Sequence, residues 1–592
     1  MYRLLEAQAY RLAHWLVASD EINYRRFFDI NELAGIRMDD RAVFNATHRL
    51  IERLIASGEV NSLRIHHPDG LSDPHDYYCE LQRLTRSAAG DTGGDTTPYL
   101  LVEKILASHE HLPADWPVAG TTGYEVAQLL NGLFVYPGAV SHLSRLYARF
   151  IGQKTDFDQA LYAHKKLIIH SALASELSVL ANLASAIARS DRHTRDFTYQ
   201  RLRDALAEVV ACFPVYRTYI TRKRISEQDH RYVRWAIERA KQRSPAAALE
   251  VFDFIQSLLT LPRRGEHSSR IRRQRAQFTL RFQQYTAPVM AKGMDDTAFY
   301  VYNRLVSLND VGFDPRSLGI SINAFHHENR QRLADWPHAM VTTSTHDSKR
   351  GEDVRARINV LSELPREWQQ HLARWSRVNR SKKRLVGEAR SPSRDDEYLL
   401  YQTLLGTWPL EPLDPGRLAG FGLLNSLSQV LLKLTVPGVP DIYQGNEIWA
   451  FSLVDPDNRR PVDYRHRQAL LETLDACCPD RDSLPALLRE LLDGIADGRA
   501  KLYITWKTLS LRSTHARLFA EGQYLELPSE GPRADHVCAF ARRCEDNEAL
   551  VVAPRWFARL GADGGKLTDS SAVCGGTRVR CPESPRLAGY RN

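Results

Sequence analysis

Apolar side chains recur at helical spacing twice within the first sixty residues. In both stretches most of the apolar residues fall on one face of a helix with 3.6 residues per turn. The positions are Leu4, Leu5, Tyr10, Leu12 and Trp15, and then Val43, Leu50, Ile51, Leu54 and Ile55. The pattern predicts helices across residues 1–58. Gly58 is the expected end of the second one, because glycine readily takes the left-handed conformation that closes a helix.

The stretch between these two helices, residues 20–29, is dense in charges and aromatic rings. Two interpretations are open. It forms either a satisfied surface between domains or a wall that faces a sugar, since rings stack on the apolar faces of sugars while charges bind their hydroxyls.

Five short apolar runs come next, and each leads into polar residues. They lie at residues 60–65, 99–106, 209–220, 339–345 and 430–436. Their length and composition predict buried strands, and long stretches of helical pattern separate most of them. Strands that alternate with helices and end in polar residues are typical of a (β/α) barrel, whose site lies at the carboxyl-terminal rim. We therefore predict an α/β fold built on a (β/α)8-type TIM barrel.

The pattern changes beyond about residue 505, where short alternating runs at 516–527, 537–542 and 549–552 are separated by glycine and proline. Such runs predict a small all-β domain. The predicted organisation has three parts. Residues 1–58 form a helical segment, residues 59–480 form the catalytic barrel with a helical insertion at about 125–285, and residues 481–592 form a helical connection and the C-terminal β domain.

The composition narrows the class of protein. Hydrophobic residues make up 43% and charged residues 25% of the 592 residues, and the net charge is +8. No apolar run reaches the ~18 residues of a membrane span, and charges interrupt the apolar positions of the first fifteen residues, unlike a signal peptide. We predict a cytoplasmic protein that contacts no membrane. The six arginines within residues 263–275 lack interleaved aromatic rings, so we interpret them as a solvated helix face or loop and predict no nucleic-acid partner.

Two carboxylates belong to the predicted strand ends: Glu103 in the second run and Asp347 after the fourth. Such a pair suits a glycosidase, where one carboxylic acid protonates the glycosidic oxygen and another group supports oxocarbenium-like charge. A retaining glycosidase also needs a carboxylate nucleophile about 5 Å from the acid. Its natural place is position 66, at the end of the first run, but the residue there is histidine.

At these residues the chain resembles the maltooligosyltrehalose synthase family of the α-amylase superfamily. The resemblance runs from the first helix to the β domain. The motifs that carry it are NYRRFFD (23–29), RIHHPDG (64–70), VEKIL (102–106), GTTGY (120–124), AKGM (291–294), STHD (344–347) and DPDNRRPVD (455–463).

The resemblance implies an intramolecular transglycosylation that rearranges the reducing-end α-1,4 bond of a maltooligosaccharide to α,α-1,1. It implies Glu103 as acid/base, Asp347 as transition-state stabiliser and His66 at the position of the nucleophile. Because the family works through covalent capture, no cofactor or metal is expected. The implied substrate-binding residues are Arg64, which orients the nucleophile, and His67, Lys104, Tyr124, Lys292, His346 and Tyr443.

Two departures from the family pattern bear on activity. The family has an aspartate where this chain has His66, and an imidazole cannot supply the carboxylate charge that stabilises an oxocarbenium ion. Family members also carry a longer N-terminal segment with the first barrel strands, so run 60–65 corresponds to barrel strand 4, and we expect that a separately encoded N-terminal fragment completes the barrel. The alternative prediction is a glucan-binding remnant without catalytic activity.

A metal site is a further interpretation of the local sequence. His66, His67 and Asp69 stand close to His75 and Asp76, and imidazole and carboxylate groups are metal ligands. The family resemblance accounts for His67 and Asp69 without a metal, and none of the eight cysteines forms a C-x-x-C pair. No metal site is therefore predicted.

Overall fold

Helices dominate the computed structural model, which describes residues 1–90, 98–244, 249–261, 268–410, 416–477, 482–561 and 575–581. A π-helix at Ala291–Ala298 joins the helices at Ser269–Met290 and Phe299–Val301. The α-helices are α1 (Tyr2–Glu6), α2 (Ala18–Glu21), α3 (Arg41–Ala56), α4 (Pro74–Ala89), α5 (Tyr124–Leu133), α6 (Val140–Ile151), α7 (Phe157–His170), α8 (Ala174–Ala188), α9 (Tyr199–Ala211), α10 (Glu227–Arg243), α11 (Leu249–Leu259), α12 (Ser269–Met290), α13 (Phe299–Val301), α14 (Ile322–Asp335), α15 (Glu352–Asn359), α16 (Pro365–Asn379), α17 (Arg394–Thr407), α18 (Gly416–Thr435), α19 (Tyr464–Ala476), α20 (Leu484–Asp493), α21 (Arg499–Thr514), α22 (Ala516–Ala520) and α23 (Phe557–Leu560).

The strands are short, and only two of them reach eight residues among those described. They are β1 (Arg26–Phe27), β2 (Ile30–Ala34), β3 (Ser62–Ile65), β4 (Tyr99–Val102), β5 (Gly120–Thr121), β6 (Met340–Val341), β7 (Arg384–Val386), β8 (Ala389–Ser391), β9 (Val439–Pro440), β10 (Gln523–Glu526), β11 (Ser529–Glu530), β12 (Val537–Cys544), β13 (Asn547–Pro554) and β14 (Arg578–Val579).

The chain divides into two compact units, each made of two stretches of sequence. The first unit comprises Met1–Val118 and Asp156–Val301, and the second comprises Ala119–Thr155 and Tyr302–Asn592. The linear domain boundaries at residues 58 and 480 stay a prediction.

The first unit has a helical core formed by α8 to α12. Leu177, Leu206, Phe252 and Phe278 are fully buried within it. The helices begin where the sequence supplies caps: at α10, Ser226 and Asp229 form a reciprocal capping box. The same unit contains a parallel strand pair, in which β3 runs beside β4 with Ile65 opposite Val102.

Strand β3 differs from the expected buried strand. Leu63 and Ile65 are half-buried, while Ser62 and Arg64 are exposed. The reason is its place at the end of its sheet in the described part of the chain, beside β4 alone. An edge strand leaves one face and one row of backbone groups uncovered.

The second unit contains another parallel pair and an antiparallel sheet. Met340 of β6 pairs with Val439 of β9, while β12 lies between β10 and β13. Phe540 of this sheet packs in one apolar cluster with Leu130 of α5 and Leu432 of α18. β12 and β13 cover the predicted runs at 537–542 and 549–552, but the run at 516–527 begins as α22.

Two apolar runs that predict strands form no strand: the run at 430–436 is helical, and the run at 209–220 begins as a helix and continues without regular secondary structure. The run at 209–220 starts inside α9, where Val209 and Val210 are buried, and the run at 430–436 lies almost wholly in α18. A helix buried on several sides has a continuous apolar sequence, so periodicity cannot separate it from a buried strand. Pro214 follows α9 closely, as expected where a helix ends.

The prediction for residues 1–58 holds only for its second half. Asp40 caps α3 by accepting hydrogen bonds from the N–H groups of Ala42 and Val43, and Gly58 follows it with φ +74°. Before α3 the chain forms the short helices α1 and α2 and the β1–β2 hairpin. The apolar side chains of Leu4, Leu12 and Trp15 are exposed, so burial does not stabilise a long helix there.

Within the described residues, no single helix has the length and apolar composition of a membrane span. The bent pair α7 and α8 passes both criteria together, at an angle of 80°.

Candidate functional site

Position 66 and Glu103 are cross-strand neighbours in the first unit. Each residue directly follows the carboxyl end of its strand, and the Glu103 N–H donates to the Ile65 carbonyl at 3.0 Å, which continues the β3–β4 register. The Nε2 atom of His66 lies 3.8 Å from Oε2 of Glu103. The Glu103 side chain is mostly buried, whereas 64% of the His66 side chain is exposed. An imidazole therefore lies beside the carboxylate that the sequence predicts as the acid/base.

His67 holds Glu103 with its backbone. Its N–H donates to Oε2 of Glu103 at 3.1 Å, and its φ of +46° turns the chain sharply out of β3. The imidazole packs against Phe27 and Phe28, at centroid distances of 5.1 and 4.4 Å. Burial lowers the pKa of His67 to about 4, which makes it neutral at pH 7. Gly70 leaves room for this ring, since a Cβ there would lie 2.8 Å from Cδ2 of His67.

Arg64 and Lys292 differ in their surroundings: Arg64 is exposed, whereas Lys292 is held in ion pairs. Arg64 lies two residues before His66, on the same exposed face of β3. Lys292 lies on the π-helix, where its Nζ is 3.1 Å from carboxylate oxygens of both Asp29 and Asp296. Burial alone lowers the pKa of Lys292, but these two carboxylates outweigh it and raise the pKa.

The charged and aromatic segment at 20–29 lines a cavity of about 1410 Å³ in the first unit. The same cavity is lined by His67 and Gly70 and by residues of α4, α8 and α12. Within the segment, Arg26 is buried and pairs with Glu176 at 3.1 Å. The ion-paired Arg26 fits a satisfied surface, and the cavity with its rings fits a sugar-facing wall, so both interpretations of the segment stay predictions.

Lys104 does not match its predicted contact with a sugar. Its side chain has no exposed surface, and its Nζ lies 2.9 Å from Glu110 and 3.6 Å from Asp69. Burial alone lowers its pKa, but the two carboxylates outweigh it and raise the pKa. Lys104 lies beyond the end of β4, and its ammonium also donates to the Ile105 carbonyl at 2.7 Å. Lys104 is therefore an internal ion-pair partner.

Asp347 and Tyr124 meet in the second unit. The Tyr124 hydroxyl donates to Oδ2 of Asp347 at 2.8 Å, and Nε2 of His346 lies 3.4 Å from Oδ1. Tyr124 begins α5 directly after Gly123, whose φ is +90°. A Cβ on Gly123 would lie 2.5 Å from the carbonyl oxygen of Met340 in β6. The glycine thus lets α5 start against the strand that leads to Asp347.

Tyr443 joins this group through Asn458. Its hydroxyl donates to the Asn458 carbonyl at 3.1 Å, and the Asn458 amide donates to the His346 carbonyl at 2.8 Å. Burial raises the pKa of Tyr443. The predicted residues of the second unit therefore form one connected group: Tyr124, His346, Asp347 and Tyr443.

Comparison with other proteins identifies the family. No protein-family profile matches the sequence. A Mycobacterium tuberculosis H37Rv protein described as a maltooligosyl trehalose synthase is 33% identical over 613 residues, which cover 94% of this chain and 70% of the relative. The chain belongs to the maltooligosyltrehalose synthase family. Its sequence resemblance to that family is thereby confirmed, and so is the enzyme class, intramolecular transferase.

Solved structures of the maltooligosyltrehalose synthase family share the fold. The Arthrobacter ramosus enzyme has a TM-score of 0.79 at 30% identity, over 98% of this chain and 73% of that one. A Sulfolobus tokodaii protein described as a maltooligosyl trehalose synthase has a TM-score of 0.69 at 27% identity, over 93% and 71%. The chain therefore has the α-amylase-type fold of this family.

Sequence reasoning missed the buried groups that hold the motif residues. In the second unit, Thr343 donates a hydrogen bond to the Glu352 carboxylate, which pairs with Lys501 at 2.8 Å and Lys433 at 3.4 Å. Burial alone would raise the pKa of Glu352, but the two ammonium groups outweigh it and hold the pKa well below its usual range. The sequence signal for this group was Lys433, a charged residue inside the apolar run at 430–436.

In the first unit, the missed residues are Arg217 and Tyr219. The Tyr219 hydroxyl donates to Oδ1 of Asp69 at 2.5 Å, so the Asp69 carboxylate is already bound to Tyr219 and Lys104. This arrangement argues against the metal site that His66, His67 and Asp69 allow. The polar exit of the run at 209–220 was the available signal. For the basic block, Arg263 and Arg264 lie outside the described residues, and Arg275 is buried rather than solvated.

Proposed function

We propose that this chain converts the reducing-end α-1,4 linkage of a maltooligosaccharide to α,α-1,1, which leaves a terminal trehalose unit. A glucosyl C1–O4 bond breaks and a C1–O1 bond to the freed glucose forms, so no water is consumed and no cofactor or metal is required. The observation that carries the proposal is the β3–β4 register, which sets Glu103 opposite position 66. A retaining mechanism needs its acid/base and nucleophile in such a pairing.

Glu103 acts as the acid/base in this proposal. As an acid it protonates the glycosidic oxygen of the leaving glucose, and as a base it later accepts the proton of the attacking anomeric hydroxyl. The His67 N–H, 3.1 Å from Oε2, fixes the orientation of its carboxyl group. The neutral His67 ring adds no positive charge that would oppose an oxocarbenium ion.

Asp347 stabilises the charge that develops at C1, and Tyr124 holds this carboxylate through the 2.8 Å hydrogen bond. We propose His346 and Tyr443 as ligands of sugar hydroxyls. Arg64 is proposed to orient the group at position 66, and Lys292 binds substrate only if a hydroxyl displaces Asp29 or Asp296. Lys104 is left out of the substrate contacts because it is completely buried.

His66 limits the rate in this proposal. A carboxylate at position 66 would form the glycosyl–enzyme bond and balance positive charge at C1, whereas a neutral imidazole carries no charge and a protonated one repels that carbon. Loss of an enzyme nucleophile costs several orders of magnitude in rate. We therefore expect very slow turnover.

A second candidate function follows from the same residue. His66 replaces the nucleophile, while Arg64, Tyr124 and His346 are retained, which favours a glucan-binding protein that does not turn over. The cavity of about 1410 Å³ beside His67 offers space for several glucosyl units.

We also propose that the parallel pairs β3–β4 and β6–β9 belong to a (β/α)8 barrel with helical insertions, and that the three predicted domains hold. A cytoplasmic location stays a prediction from the sequence. The separately encoded N-terminal chain gains no support from the relatives, and the proposal does not include it.

The test uses maltopentaose as substrate. The protein and its H66D and E103Q/H66D variants are incubated with it, and reducing ends and anion-exchange chromatograms are followed. We expect loss of reducing ends without release of glucose in H66D, very little in the unmodified chain, and none in E103Q/H66D. Thermal stabilisation by maltopentaose without product in both His66 and H66D forms would favour the binding function. Release of glucose would indicate that the protein hydrolyses maltopentaose instead of isomerising it.

A further inference from the structure

The segment between α9 and α10 lies against the loop that carries His66 and His67. It is fully buried at Arg217 and Thr218, although it belongs to the helical part of the first unit. We propose that Arg217 is a positioning residue, which fixes the loop at residues 66–72 and thereby the geometry of Glu103 and position 66. This inference rests on the proposed function for its catalytic consequence.

Arg217 binds the loop entirely through backbone carbonyls. Its guanidinium donates to the carbonyls of Asp69 at 2.7 Å and Leu71 at 2.6 Å, and to Ser72 at 3.4 Å. Its Nε donates to its neighbour Thr218 at 3.0 Å. The planar fork thus reaches three carbonyls of one turn at once. A lysine could reach one or two of them but cannot reproduce the fork.

The contact of Arg217 with the loop at residues 66–72 is called the clamp below. Tyr219 connects this clamp to the chain that follows β4, where Glu103 lies. Its ring lies 5.0 Å from the Arg217 guanidinium, and its hydroxyl donates to Oδ1 of Asp69 at 2.5 Å. The other oxygen of Asp69 lies 3.6 Å from Lys104, the residue after Glu103. Asp69 therefore links the β3 loop, the β4 exit and the helical insertion in one buried network.

Charge balance supports this reading of the network. Asp69 and Glu110 contribute two negative charges, and Lys104 and Arg217 contribute two positive ones, all buried. Loss of one member leaves a buried charge without compensation, so the network either holds its geometry or opens locally. The loop at residues 66–72 also accepts a hydrogen bond from α12, since Gln284 donates to the Gly70 carbonyl at 3.1 Å.

If Arg217 had only a structural role, its substitution would have the same effects as substitution of any other buried arginine of this unit. Arg275 is the matched comparison: it is buried in α12, and it donates to the carbonyl and hydroxyl of Ser257 at 2.7 and 3.0 Å. Neither Ser257 nor its helix α11 carries a motif residue. Truncation of either arginine should lower the melting temperature, but only Arg217 should affect the loop.

The experiment compares R217M, R217K and R275M in two backgrounds. In the unmodified chain, hydrogen–deuterium exchange is measured on peptides that cover residues 62–73. In the H66D background, kcat and KM for maltopentaose are measured, and the pH profile of kcat is recorded. We expect R217M to speed exchange in 62–73 at least tenfold and to lower kcat at least tenfold with KM changed less than threefold. R217K should recover part of both, and R275M should change neither.

The outcomes separate this inference from the proposed function. Faster exchange in R217M alone, with an inert H66D protein, would support the clamp and count against the proposed function. An active H66D protein whose kcat is unchanged by R217M would overturn the clamp and leave the proposed function standing. Equal effects of R217M and R275M on exchange and kcat would reduce Arg217 to a stabilising residue. If R217M does not fold, R217K against R275K decides by the same criteria.

Discussion

Nε2 of His66 lies 3.8 Å from Oε2 of Glu103, at the ends of two adjacent parallel strands. Because the register is parallel, both side chains leave the sheet at the same edge and are held by the same turn. The carboxyl group that we propose as the acid/base therefore lies beside a residue that cannot act as a carboxylate. The catalytic consequences of the fold depend on this one pair.

Substitution of His66 by aspartate tests that pair directly. The carboxylate restores both the nucleophile and the negative charge near C1, so we expect product formation from maltopentaose to rise by several orders of magnitude. H66N is the control, since it has nearly the same size as aspartate but no charge. Reducing-end loss is the measurement. Equal rates for H66D and H66N would contradict a nucleophilic role for position 66.

The hydrogen bond from Tyr124 to Asp347 gives a second prediction. A hydrogen bond to a charged group contributes about 1.5–3 kcal/mol, so Y124F in the H66D background should lower kcat about 10- to 100-fold while KM changes little. Y147F is the matched control, because Tyr147 is also buried and donates to a carboxylate, Asp395, at 2.6 Å. A similar fall of kcat in both variants would indicate loss of stability rather than loss of orientation.

The sequence located the polar residues that follow the strands better than the elements between them. Glu103 directly follows β4 and Asp347 lies in the segment after β6, in both cases where an apolar run gives way to polar residues. The run at 430–436 was misassigned because α18 is buried on several sides and its sequence resembles a strand. Periodicity carries no information where every face is apolar.

The partners of the buried charged residues could not be predicted from the sequence. Lys104 follows Glu103, and a pairing between neighbours is the simplest interpretation, yet Lys104 pairs with Glu110 and Asp69. Both partners come from turns whose course no local pattern describes. Arg217 is a similar case, since its ligands are backbone carbonyls, which leave no mark on composition.

The lowered pKa of His67 predicts how stability depends on pH. Its pKa of about 4 in the folded chain lies below the usual 6.5, so the unfolded chain takes up this proton first as the pH falls. Stability is therefore full above pH 6.5 and declines as the pH falls toward 4, by up to about 3 kcal/mol.

Urea unfolding at pH 7 and pH 4.5 measures this dependence. H67Q should remove the share of the pH dependence that belongs to His67. H326Q is the parallel control, because burial lowers the pKa of His326 to about 4 in the second unit. The two variants should each flatten part of the profile. An unchanged profile in H67Q would show that His67 is protonated equally in the folded and unfolded chains.

The buried ion network behind the loop of Asp347 gives the last prediction. Lys501 lies 2.8 Å from carboxylate oxygens of both Glu352 and Asp353, and all three side chains are buried. K501M removes the cation and leaves Lys433 as the remaining partner of Glu352, so the free energy of unfolding should fall by about 3–5 kcal/mol.

K241M is the control, because Lys241 pairs at 2.7 Å with Asp253, whose side chain is 60% exposed, and such a pair contributes at most about 1 kcal/mol. Urea denaturation measures both. K501M/D353N should recover part of the loss, because one negative charge disappears with the cation while Lys433 keeps its partner Glu352. A K501M loss no larger than that of K241M would mean that water reaches the carboxylates and that the network does not fix the loop.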